Sequence, residues 1–324
     1  MKRDADAAGG GLKTLVAPHA GRGYDYLIEA CRDTAAGCPG IRSLTHLTNN
    51  TVDFAVRAAA AEPFRGALPW DDEVEVEGRP AQRFVRWVLE TDATMRQLRT
   101  GELMRVLAVT RSGGMQYSRL RDGQYVVGMA TSSEGCDAMD TVMNDMATDL
   151  RYRLFDLGTE FPGGDPAQHK RTLTDHVPLT LQATTRDQED ENRLRGIWPR
   201  HLNPYDLHYA AYYRDGTPVC AGDCFEHAEL SEALVAVPAQ NRRAMYRDLV
   251  FRLQTSLADL AQILEPLTTD PVERLVLDVQ QGAVYLHWLD TADGDFVVGV
   301  TVRQKQVAVA EERLGDLIRD LRRR

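Results

Sequence analysis

The chain has 324 residues, 43% hydrophobic and 27% charged, with a net charge of −10. That length accommodates two domains of about 150 residues, each able to bury its own core. The acidic balance argues against phosphate-backbone binding, which needs clustered Lys and Arg, and no apolar run is long enough to span a bilayer.

Residues 1–22 are polar and glycine-rich, and read as a flexible tail without a secretory signal. Tyr24 to Ala36 reads as a short helix ended by Gly37 and Pro39. Ile41 to Thr48 and Thr51 to Arg57 read as two strands around Asn49-Asn50, a pair that tolerates positive φ. Residues 59–79 read as an insertion with an acidic stretch, Asp71 to Glu77, in which Val74 and Val76 could alternate as a short exposed strand. A helix is predicted over 79–98, with Pro80 in its first turn and Phe84, Val88, Met95 and Leu98 on one face. Three strands follow at 103–110, 115–121 and 124–130. A helix over 135–155 then carries the stripe Met139, Val142, Met143, Met146 and Leu150.

The Gly- and Pro-rich residues 158–188 read as a linker. Beyond them the order recurs: a weakly helical stretch over 187–198, a strand over 207–213, the turn Arg214-Asp215-Gly216, and a return strand over 217–221. A long helix is predicted over 239–264, then strands at 272–279, 283–289 and 296–303, and a last helix with Val307, Ala310, Leu314, Leu317 and Leu321 on one stripe. The recurrence is also literal. Val106-Leu107-Ala108-Val109, Gly114-Met115-Gln116-Tyr117 and Asp122-Gly123-Gln124-Tyr125-Val126-Val127-Gly128 return about 170 residues later. Their counterparts are Val276-Leu277-Asp278-Val279, Gly282-Ala283-Val284-Tyr285 and Asp293-Gly294-Asp295-Phe296-Val297-Val298-Gly299. The chain is thus expected to hold two related α+β domains, over 23–157 and 189–324.

This order resembles the roadblock/LC7 family, and the second copy resembles it more closely. Tyr209 to Val219 is similar to the family's opening hairpin, and Gly282 to Leu286 and Asp295 to Val300 to its later strands. In the first copy Cys38-Pro39-Gly40-Ile41 is similar to the entry of the first strand, whereas the 59–79 insertion departs from the pattern. The resemblance covers residues 24–155 and 190–324. Longin, profilin-like and secretion-chaperone-like domains share parts of the same order. The resemblance implies two tandem domains, each a five-stranded antiparallel sheet flanked by helices, pairing as an internal pseudo-dimer. It also implies a binding scaffold that regulates a Ras-like small GTPase; an adaptor or chaperone for a client protein is the other function it leaves open. One reading of the residues agrees: Val85 and Leu89 on the first long helix, and Phe251 and Ala258 on the second, are apolar positions off the core face. They are expected at an inter-domain interface.

No motif for catalysis matches. Gly9-Gly10-Gly11-Leu12-Lys13-Thr14 lacks the adjacent Gly-Lys and the preceding strand of a phosphate loop. The densest metal-type set is His201, His208, Cys220, Cys224 and His227, for which small buried cysteines and ordinary loop histidines are the preferred account over zinc. Cys31, Cys38 and Cys136 complete five irregularly spaced cysteines, which fits reduced thiols in a cytoplasmic protein. The acidic runs 71–77 and 187–191 are expected to be solvated loops, and Arg319 to Arg324 a solvated helix end. The chain is read as a non-enzyme without cofactor or metal.

Overall fold

The computed structural model describes residues 11–64, 72–157, 161–173, 177–185, 187–291 and 294–323. The chain divides into two compact units. Unit 1 comprises Met1–Thr91, Met104–Pro162 and Ser256–Pro271; unit 2 comprises Asp92–Leu103, Gly163–Thr255 and Val272–Arg324. Each unit is an antiparallel sheet packed with helices.

Unit 1 takes, in chain order, β1 (Leu12–Val16), α1 (Asp25–Gly37), β2 (Ile41–Thr48), β3 (Thr51–Ala58), most of α2 (Glu73–Met95), β4 (Leu103–Thr110), β5 (Gly113–Arg121), β6 (Gln124–Ala130) and α3 (Ser133–Phe155). Its strand order is β1-β3-β2-β6-β5-β4. Unit 2 takes β7 (Thr180–Ala183), α4 (Gln188–Ile197), β8 (Tyr209–Arg214), β9 (Thr217–Asp223), most of α5 (Ala239–Leu264), β10 (Val272–Val279), β11 (Gly282–Asp290), β12 (Asp295–Thr301) and α6 (Val307–Arg322). Its order, β7-β9-β8-β12-β11-β10, is the same arrangement.

The two opening hairpins match in detail. Both turns hold two residues at positive φ, Asn49 and Asn50 at 47° and 64°, and Asp215 and Gly216 at 49° and 67°. Such a turn fits the right-handed twist of its strands. In each hairpin the register slips at the same step, between His46 and Leu47 and between Tyr212 and Tyr213.

The repeated Val-Val-Gly has a packing cause. A Cβ on Gly128 would lie 2.3 Å from Met143 Sδ and 2.7 Å from Met139 Sδ; one on Gly299 would lie 2.7 Å from Leu314 Cδ2. Glycine lets α3 and α6 lie close over β6 and β12. Met139, Met143, Met146 and Leu150 are all buried there, worth about 1.5–3 kcal/mol for each fully buried side chain. Ser132 caps α3 by accepting from the Gly135 N–H at 2.9 Å.

Two expectations need correction. Each unit contributes six strands rather than five, because β1 and β7 line the outer strand of each hairpin. Both are short and bury little, so the residues of the expected tail and linker carried no strand pattern; residues 1–10 lie outside the described residues. Within the 59–79 insertion, where 65–71 lie outside the described residues, Val74 and Val76 are buried in the opening turns of α2 rather than on an exposed strand. The helix starts at Glu73, its acids favour that positive end, and Pro80 falls inside it. Within the expected linker, the Gly163 N–H donates to Asp278 Oδ2 at 2.6 Å, and Lys170 pairs with Asp316 at 2.8 Å and with Glu312.

No helix among the described residues is long and apolar enough to cross a membrane.

Candidate functional site

The four apolar positions marked on the long helices separate. Val85 is fully buried, because the buried arc of α2 is wide: Ala81, Phe84, Val85, Trp87 and Val88 all point inward. Leu89 is 41% exposed and Phe251 65% exposed, and Ala258 is exposed as well. These three side chains are solvent-exposed. They belong to outward helix faces. On α2 that face holds Arg83, Arg86 and Leu89; on α5 it holds Arg247, Phe251 and Arg252. Each face sets an apolar side chain near arginines, with acids beside them: Arg252 pairs with Asp248 at 2.9 Å, and the exposed Glu90 follows Leu89.

Further contacts of the long helices and the segments after them lie within each unit. In unit 1 the Trp87 Nε1–H donates to the Ser256 carbonyl at 3.3 Å, and Trp87 stacks on Phe84. Ser112 and Thr268 hydroxyls share a hydrogen bond of 2.7 Å. In unit 2 the Gln97 amide donates to Asp248 at 3.5 Å, and the backbone N–H of Gln281 to the Thr100 carbonyl at 2.9 Å.

Ion pairs position the other end of each long helix. Glu77 of α2 accepts from Arg42 of β2 and, at 3.1 Å, from Arg57 of β3. All three side chains are buried. Glu73 extends the network to Arg57 at 3.3 Å and to Lys13 of β1 at 2.6 Å. The acidic run expected as a solvated loop is thus half consumed by basic partners 16 to 60 residues away in sequence; Asp71 lies outside the described residues. In unit 2, Arg243 of α5 donates to both oxygens of Asp223 at 2.6 and 2.8 Å, to Glu226 at 3.1 Å, and to Thr180 of β7 at 3.0 Å. The second acidic run is also used locally. Asp187 caps α4, Asp190 meets Arg193 and Arg214, and Glu191 meets Arg195. At the C-terminal end Arg319 pairs with Asp316 and Arg323 with Asp320, while Arg324 lies outside the described residues.

The residues considered for zinc are engaged separately. His201 contacts Asp320 at 3.0 Å, and His227 accepts from the Glu229 N–H at 3.2 Å. His208 is fully buried, with Nδ1 accepting from the Val302 N–H at 3.0 Å. Burial pushes its imidazole down to about 3. Burial also pushes the Cys220 thiol up to about 12 and raises Cys224, the reverse of what a thiolate ligand or nucleophile needs. Among the described residues no three His, Cys, Asp or Glu side chains form a group able to hold a metal ion. None of the five cysteines forms a disulfide, and all are buried.

Two features had no signal in the sequence reading. His46, Asp53 and His19 form a chain in unit 1: Asp53 lies 2.8 Å from His46 Nδ1, 3.1 Å from His19 Nε2, and accepts from the Thr48 hydroxyl at 2.7 Å. Burial raises the Asp53 carboxyl, but the hydrogen bonds from His46, Thr48 and His19 outweigh it and hold it below its ordinary value. In unit 2 an open cleft of about 570 Å³ is lined by Val177, Leu179, Leu181, Gly196, Pro199 and Arg200. Its strand side comes from residues whose alternation is too short to read beside a linker.

Neither a protein-family model nor a curated protein matches the chain. Among solved structures, a chain described as "MglB with tetrameric arrangement" is similar at 14% identity with a TM-score of 0.33, covering 42% of this chain and 92% of that one.

Proposed function

We propose that the chain is a non-enzymatic binding scaffold, made of two roadblock-like domains that act as an internal pseudo-dimer, and that it regulates a Ras-like small GTPase. The GTPase is the partner implied by the sequence resemblance; fold alone does not assign function. The observation that carries a binding role is Phe251, a large side chain 65% exposed on a long helix between Arg247 and Arg252. On α2, Leu89 is an exposed apolar side chain one turn from Arg86 and next to Glu90. Exposed aromatic and Arg side chains are the usual anchors of protein interfaces. The pseudo-dimer reading is supported by the repeated strand order.

The test is affinity capture from host lysate with GDP and with a non-hydrolysable GTP analogue, read by mass spectrometry. A Ras-like protein retained in one nucleotide state supports the regulator reading; absence of any such protein in either state ends it.

The cleft in unit 2 favours a second reading, an adaptor or chaperone whose client places an apolar segment there. That reading expects one abundant client, captured equally in both nucleotide states.

A further inference from the structure

The two repeats hold their long helices with the same salt bridge built in opposite senses. Arg57 and Glu77 stand 20 residues apart, and so do Asp223 and Arg243. The positions are equivalent in the fold. Arg57 faces Ser43 across its hairpin and Asp223 faces Tyr209, each reached by the same count from the turn through the same register slip. In the first repeat the strand carries the base and the helix the acid. In the second the strand carries the acid and the helix the base.

We propose that this reversal is a pairing code, which fixes the hairpin on which each long helix can seat as the chain folds. Two repeats of one architecture in one chain risk exchanging equivalent elements, a characteristic failure of repeat proteins. Here α2 has 23 residues and α5 has 26, so length discriminates little. Charge discriminates sharply. Correct seating brings Glu77 to Arg42 and Arg57, and Arg243 to Asp223. Exchanged seating would set Glu77 against Asp223, and Arg243 against Arg42 and Arg57, with each like-charged contact largely out of water. Specificity of this kind comes from the repulsive arrangement as much as from the attractive one. The inference does not depend on what the protein binds.

The test separates a code from a mere local clamp. Asp223→Arg combined with Arg243→Asp restores attraction in unit 2 but gives both repeats the same polarity, erasing the code. The expected result is a urea midpoint recovered relative to either single reversal, together with a several-fold lower yield of native monomer on refolding by dilution. A second variant, Asp223→Leu with Arg243→Met, removes the charges without requiring a new ion pair, and is expected to lose refolding yield in the same way. Native-level yields from both variants would overturn the code and leave two ordinary salt bridges. A lowered yield in both, with the double reversal near the natural midpoint, would establish it.

Discussion

The two units clamp their long helices in environments of different wetness. In unit 1 the shared carboxylate of Glu77 is 1% exposed, and its partners Arg42 and Arg57 are 8% and 6% exposed. In unit 2 Arg243 is 19% exposed, and one of its partners, Glu226, is 71% exposed. Burial decides what such a pair is worth when broken. A charge stranded in a dry site is costly, whereas a charge that can swing into water recovers most of its solvation. The same contrast extends along the hairpins. Unit 1 places the polar pair His46 and Asp53 where the equivalent register positions of unit 2 hold Tyr212 and Val219. Unit 2 instead buries His208, just before β8, as a neutral ring. Equivalent backbones therefore carry different electrostatic risks.

The largest expected effect comes from removing the shared carboxylate. Glu77→Ala leaves two buried guanidinium groups without it and should destabilise unit 1 by about 3–5 kcal/mol. Asp223→Ala should cost about 1.5–3 kcal/mol, since it removes charge-assisted hydrogen bonds from an arginine that retains Glu226 and water. Urea denaturation of both variants checks the order. Equal losses would mean that the difference in exposure does not govern the two clamps.

Acid should affect the units in sequence. The folded His208 has its pKa depressed to about 3, against about 6.5 when unfolded. The unfolded chain therefore binds the proton first. The stability this group protects is intact above about pH 6.5 and is lost as pH falls from there toward 3. At pH 5 the loss is about 2 kcal/mol in unit 2. Asp53 runs later: its depressed carboxyl contributes stability present above about pH 3.9 and lost only as pH falls through its lower folded value. Hydrogen exchange at pH 5 should show amides of β8 and β12 losing protection before those of β2 and β3. His208→Asn, which keeps an acceptor near the Val302 N–H but does not titrate, should flatten the decline between pH 6.5 and 5. Unchanged pH dependence in that variant would remove His208 as the cause.

The tandem hairpins and meanders were legible because their signals are local. Asn49-Asn50 and Asp215-Gly216 declare their turns, and the period-two strands that follow need no distant information. Val85, by contrast, read as an off-face position because helical spacing alone does not reveal how wide an arc the sheet will bury. The start of α2 was hidden for a related reason. The acidic run 71–77 has every mark of a solvated loop until Arg42, Arg57 and Lys13 are known to wait beside Glu73 and Glu77. Strands β1 and β7 exist through pairing with β3 and β9, which supply hydrogen bonds that no pattern within five or four residues could announce.

The smallest effect on folding should accompany the most informative effect on binding. Phe251 and Leu89 are exposed, so alanine at either position should change stability by no more than about 0.5 kcal/mol. An aromatic anchor at the centre of an interface typically loses about 2 kcal/mol or more on truncation, roughly a thirty-fold weaker complex. Phe251→Ala should therefore weaken capture of the partner by about that factor, and Leu89→Ala, with a smaller side chain, by less. If both weaken one partner, the two helix faces serve a single complex. If only Phe251→Ala does, the repeats have divided their labour, and the first helix face is free for a different contact. Undiminished capture by both variants would move the binding site away from the helices, leaving the cleft beside β7 as the place to mutate next.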